Sequence, residues 1–202
     1  MMGTEADQVL NEWLKGRPLL KFSLYTATQV ETLKAFGKEL LGDFDAGVTY
    51  SEETKQPIFE RKLVSDGYAK FWLWLLGAYE VVRTMAQAPE CFSPNLVEKL
   101  RKLKKRLSKI RMPFAKQEIA GQDVPVYNEL SIADVEANPA DLVFVVQSER
   151  ISARSLVEDF IANFDAIRGE EVLLDHRLSN RYKEARAAGL VTIPTSQAST
   201  NP

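Results

Sequence analysis

The sequence predicts a mainly α-helical bundle around a buried central helix, with a small two- or three-stranded β element attached. Three observations carry this expectation. The stretch Phe71-Trp72-Leu73-Trp74-Leu75-Leu76-Gly77-Ala78-Tyr79-Glu80-Val81-Val82-Arg83 is apolar on every side, holds two of the three tryptophans and is flanked by polar sequence, the pattern of a helix buried all round. Leu96, Leu100, Leu103, Leu107, Ile110 and Phe114 recur at spacings of four and three, a heptad-like seam. Asp123 to Ile132 and Leu142 to Gln147 are rich in Val, Ile and Tyr and are separated by Asn138-Pro139, which reads as two strands with a long connection.

At 202 residues, with 45% hydrophobic and 27% charged residues, the chain supports one sizeable core. We expect a single domain over 1–190, with its β element near 123–147, and a small, polar, disordered tail over 191–202. No basic segment leads into an apolar run at the amino terminus, and the apolar run 71–82 falls short of the roughly 20 residues a spanning helix needs. A cytoplasmic protein without a membrane partner is the expectation. Cys91 is the only cysteine and His176 the only histidine, which excludes an intrachain disulfide and any zinc site of several Cys or His ligands. No metal or cofactor is expected, and a Cys-His pair could only be Cys91 with His176.

Taken in order, Thr4 with Asp7 starts a first helix that Gly16 and Pro18 end. Leu19 to Thr26 lacks obvious helical spacing and suggests a short extended segment. Thr28 with Glu31 forms a capping box for a second helix that stops at Gly42, and Asp43 to Pro57 reads as a polar loop. Ile58 to Val64 could begin the central helix early, but Ser65 and Asp66 are good caps and set its expected start, and it runs to about Gln87. Gly77 inside it marks close approach of another helix, since a mid-helix glycine otherwise costs up to ~1 kcal/mol. Ser93-Pro94 starts the seam helix, and Pro113 is expected to end or kink it. Ser152 caps a helix with the stripe Leu156, Val157, Phe160, Ile161, Phe164 and Ile167, stopped by Gly169, and Glu170 to Ala188 reads as a final helix.

The strongest feature outside the core is charge. Between Glu98 and Lys116 nine basic residues (Lys99, Arg101, Lys102, Lys104, Lys105, Arg106, Lys109, Arg111 and Lys116) face one acid, a segment of +8 in a chain of net −2. With the leucine seam turned to the core, these cations must cover the rest of the helix, where they can draw phosphates or an acidic protein surface. Lys102, Lys105, Arg106, Lys109, Arg111 and Lys116, with Tyr79, are the candidate binding residues. The plainer alternative is neutralisation by acids of the same chain, such as Glu52-Glu53 or Glu170-Glu171, or solvation by water. Glu80 and Arg83, three apart on the central helix, form either a functional or a structural ion pair. His176, beside Asp175 and Arg177, is expected to be solvated, and adjacent helical residues point too far apart for Asp175 to form a dyad with it. Cys91 precedes a helix amino terminus that could activate it, although a passive thiol is the commoner case. Glycine-rich phosphate loops, Gly-x-Ser-x-Gly elbows and paired acidic metal motifs are absent from the sequence.

The pairing of the aromatic helix with a long basic second helix resembles the bundle core of HEPN domains, which are helical, often dimeric and frequently tied to toxin–antitoxin or RNA-cleaving systems. The resemblance covers that helix pair alone. The family's ribonucleases carry an Arg closely followed by a His on one helix; here Arg168 precedes His176 with seven residues between, across Gly169. The leading expectation is a binding or assembly module whose basic helix, 98–116, meets a nucleic acid or an acidic protein. The alternatives are a HEPN-like nuclease or other phosphate-handling enzyme, with Glu80, Arg83 and His176 as catalytic candidates, and a structural homodimer.

Overall fold

The computed structural model describes residues 16–116, 132–146 and 148–191. The first predicted helix up to residue 15, the predicted strand before Ile132 and the tail from residue 192 lie outside them. The fold class is as predicted, with helices predominating, a three-stranded antiparallel sheet and a two-stranded ribbon.

The first helix described, α1 (Leu24–Ala46), follows a short 3-10 turn, Pro18–Lys21. Leu19 to Thr26 is therefore not extended: the buried Leu19, Phe22, Thr26 and Val30 follow helical spacing, and the Ser23 hydroxyl caps the helix by accepting from Thr26 N–H at 3.3 Å. Thr28 is interior rather than a cap, its hydroxyl donating to Leu24 C=O at 2.9 Å. Gly42 does not stop α1 either, because Leu40, Asp43 and Phe44 continue the buried face. The expected loop after it holds the end of α1 and a ribbon, β1 (Val48–Tyr50) paired with β2 (Pro57–Phe59).

A π turn, Lys62–Gly67, runs straight into α2 (Tyr68–Ala86), so Ser65 and Asp66 lie inside the helical run and cap nothing. The central helix is not buried all round. Phe71, Trp74, Leu75 and Ala78 are fully enclosed, whereas Trp72 and Leu73 stand 39% and 56% exposed. Gly77 does mark a close approach: a Cβ there would lie 3.0 Å from Leu33 Cδ2 of α1. Ser93 caps α3 (Pro94–Lys116), and the seam Leu96, Leu100, Leu103, Leu107 and Ile110 is buried as expected. Pro113 does not end α3; it is buried in the last turn and the helix continues to Lys116.

Strands β3 (Ile132–Ala137) and β4 (Ala140–Val146) form a hairpin turning at Asn138-Pro139, in place of the long connection expected. A third strand, β5 (Glu149–Ser152), pairs with β4, so the sheet extends past 147. Ser148, at φ 67°, supplies the left-handed turn residue between them; Gly or Asn is the usual choice there, and the hairpin carries no clear sequence signal. Ser152 caps α4 (Ala153–Asp165) as predicted. Glu170 to Ala188 is not one helix. Val172 bridges to Phe92, Leu173 N–H donates to Cys91 C=O at 2.8 Å, and only Asn180–Ala187 forms a helix, α5. Hydrogen bonds to the 91–93 segment replace the internal ladder that a helix there would need.

The core is threaded by aromatics. Phe144 of β4 stacks on Phe71 at 5.4 Å, Phe71 on Trp74 at 6.0 Å, Trp74 meets Phe160 of α4 edge-on at 5.4 Å, and Phe160 meets Phe164 at 4.5 Å. Trp74 Nε1 donates to Leu33 C=O at 3.0 Å, so the indole N–H is satisfied inside the core.

Candidate functional site

The basic face of α3 divides into three parts. On one flank Lys99 faces Glu171, Arg106 pairs with Asp159 and reaches the Ser155 hydroxyl, and Lys109 binds Glu149 of β5 at 2.5 Å. On the other, Arg111 lies over the Tyr79 ring at 4.9 Å and donates to Glu80 Oε1 at 3.4 Å. Lys102 holds only Glu98 of its own helix, a pair in which both side chains are mostly exposed. Arg101, Lys104 and Lys105 make no ion pair among the described residues. The side chain of Lys116 is not among those described. Same-chain acids thus neutralise both flanks and leave a central ridge, although Glu52-Glu53 is not their source.

Glu80 and Arg83 do pair. Arg83 Nε and Nη2 both meet Glu80 Oε2, at 2.7 and 2.6 Å, and Arg111 joins on the other oxygen. Two guanidiniums therefore share one carboxylate, and Arg111 Nε is buried with no partner among the described residues.

Arg83 also lines a cleft of about 330 Å³ between the start of α1, the end of α2 and the segment from His176 to Ala185. His176 lines the same cleft. Its Nδ1 lies 3.1 Å from Phe22 C=O and 3.3 Å from Asp175 Oδ1. The expectation that Asp175 points away from the ring is corrected: the two residues start a 3-10 turn rather than sit within a helix, which lets the carboxylate reach back. Asp175 also binds Arg177 through both oxygens, and this partner holds its carboxyl below the usual aspartate range. Arg181 and Gln87 complete the polar lining, with Tyr182 edge-on to His176 at 5.7 Å. Sequence spacing offered no signal for Gln87, Arg181 and Tyr182, which meet across a large separation in the chain.

Cys91 is fully buried, and burial foremost pushes its thiol up to about 11, with Glu90 and Asp175 adding to the rise. Its Sγ faces Asp175 C=O at 3.7 Å. A thiol raised in this way favours its neutral form at ordinary pH, the opposite of what activation by the following helix needs.

Among the described residues no cluster of three or more His, Cys, Asp or Glu could hold a metal, and no helix is long and apolar enough to cross a membrane. Comparison with known protein families, curated proteins and solved structures finds no match.

Proposed function

We propose that this protein is a binding module that docks an acidic protein surface on the outer ridge of α3. The observation that carries this reading is the ridge itself: exposed Arg101 and Lys105, half-buried Lys104 and weakly paired Lys102, while neighbouring cations are taken up by acids of other elements. The leucine seam anchors the ridge to the core, so its charges are presented on a rigid helix. Nucleic acid suits this surface less well. Glu98, Glu149, Asp159 and Glu171 border it, no aromatic residue interleaves the ridge for base stacking, and few phosphates could be neutralised at once.

Retention of the full chain on immobilised polyglutamate, with duplex DNA and single-stranded RNA as parallel resins, tests the reading. Replacing Arg101, Lys102, Lys104 and Lys105 with Glu should weaken polyglutamate binding about tenfold or more at low salt and flatten its salt dependence. Arg106→Glu with Lys109→Glu should leave retention nearly unchanged while lowering stability, because those residues serve Asp159 and Glu149. Salt-insensitive retention, or retention indifferent to the four-site reversal, would sink the proposal. Tighter binding to DNA or RNA than to polyglutamate would transfer the ridge to nucleic acid.

A further inference from the structure

The cleft beside the end of α2 joins cationic groups that the ridge does not use. Arg83 gives its Nε and Nη2 edge to Glu80, which leaves Nη1 to donate to Gln87 Oε1 at 3.2 Å. Arg181, from α5, directs its own Nη1 to the same Gln87 oxygen. Two guanidinium groups thus converge on one neutral amide oxygen, whose dipole cannot neutralise both. Acids on the neighbouring elements are engaged: Glu80 by Arg83 and Arg111, Asp175 by Arg177, and Glu90 by the Asn180 N–H at 2.5 Å. No Asp or Glu among the described residues lines the cleft. Of the two guanidiniums that line the cleft, Arg83 is paired with Glu80 and Arg181 with no acid among the described residues, and the carboxyl end of α2 contributes about half a negative charge, too little to cancel that remaining cation.

His176 completes the set. Both neighbours of its Nδ1 are oxygens, so the proton belongs on Nδ1, and Nε2 is the ring nitrogen without a partner among the described residues. An imidazolium, protonated on both nitrogens, would present Nε2–H to an oxyanion. The rest of the lining is mixed: the rings of Phe22 and Tyr182 with Ala88 and Ala185 supply apolar surface, and Thr26, Thr84 and Ser179 add hydroxyl residues. The volume falls in the range of small-ligand sites.

We propose that this cleft binds a small phosphomonoester, its dianion held by Arg83 and Arg181 with His176 as third donor and its organic group against Phe22 and Tyr182. Two guanidiniums can each give paired N–H groups to phosphate oxygens, a geometry that a carboxylate ligand uses only in part. The proposal stands apart from the ridge and its acidic partner.

Adenosine monophosphate, adenosine and inorganic phosphate, titrated into the full chain, test it. The single histidine supplies one imidazole spin system, with two ring C–H resonances, in the NMR spectrum, a direct reporter of the cleft. Adenosine monophosphate should move those resonances saturably with a Kd below about 1 mM and raise the melting temperature. Inorganic phosphate should bind at the same site more weakly, and adenosine should not bind. Arg181→Ala, at an exposed position, should weaken binding about tenfold or more with an unchanged melting temperature of the free protein, and Arg83→Lys should weaken it similarly. The four-site ridge variant should bind adenosine monophosphate as the parent does. No response to either phosphate at 10 mM (about ten times that limit), unaltered binding in Arg181→Ala, or loss of binding in the ridge variant would overturn the assignment.

Discussion

Asp43 illustrates how one buried charge ties elements together. Its carboxylate, only 10% exposed, accepts from Lys62 at 2.8 Å and from Lys70 at 2.5 Å, linking α1 to the π turn and to α2. Hydrogen bonds from the two ammonium groups hold its pKa below the ordinary 3.8. A depressed carboxyl stabilises the fold above its unfolded value and loses that contribution as pH falls through its folded value. Urea unfolding between pH 5 and pH 2 should therefore show stability falling below about pH 4. Asp43→Asn should be less stable at pH 6 and lack that part of the acid limb; an identical pH profile would refute this role. The Glu80–Arg83 pair was legible at this scale, because i,i+3 spacing on a helix brings the two groups together. The Arg83–Gln87–Arg181 junction was not, since spacing within one helix says nothing about a contact 94 residues away.

At the scale of elements, the seam helix and the Ser152-capped helix were legible because each pairs a strong cap with a long apolar stripe. Boundaries failed where tertiary contacts overrode local signals: Gly42 continues a helix whose next buried positions are already committed to the core, and Val172 prefers a bridge to Phe92. An early start of the central helix is open in the sequence over Ile58 to Val64, but nothing in the composition of Lys62–Gly67 separates a π turn from an ordinary helix start. The packing of that turn carries a prediction. A Cβ on Gly47 would lie 2.4 Å from Leu63 Cβ and 2.9 Å from the Leu63 backbone nitrogen, so Gly47→Ala must move backbone. We expect a loss of about 1–3 kcal/mol on chemical unfolding. Gly77→Ala would meet only the end of the Leu33 side chain at 3.0 Å, and the helix propensity of alanine offsets that contact. A change within about 1 kcal/mol is expected there, and equal losses at the two sites would contradict the distinction. The start of α4 is secured by Asp141, which no sequence pattern marked: it accepts from the Ser152 hydroxyl and, at 2.8 Å each, from the backbone N–H groups of Leu142 and Arg154. Burial raises its pKa, while these hydrogen bonds oppose the rise.

For the whole molecule, the aromatic series from Phe144 through Phe71, Trp74 and Phe160 to Phe164 makes sheet and helices one unit. Phe160→Ala, at a fully buried junction of α4 with Trp74, should cost about 3–5 kcal/mol and weaken the near-ultraviolet aromatic signal throughout the unfolding transition. A loss below about 1 kcal/mol would mean that the series is not the common support. The cleft adds a different consequence. Its walls come from residues 22–26, 83–88 and 176–191, so no fragment lacking the last stretch contains it. During synthesis that wall arrives last, after the helices that form the other walls. A chain cut before residue 176 therefore lacks one wall of the pocket, and ligand binding there would report that the 176–191 segment is docked on the helices.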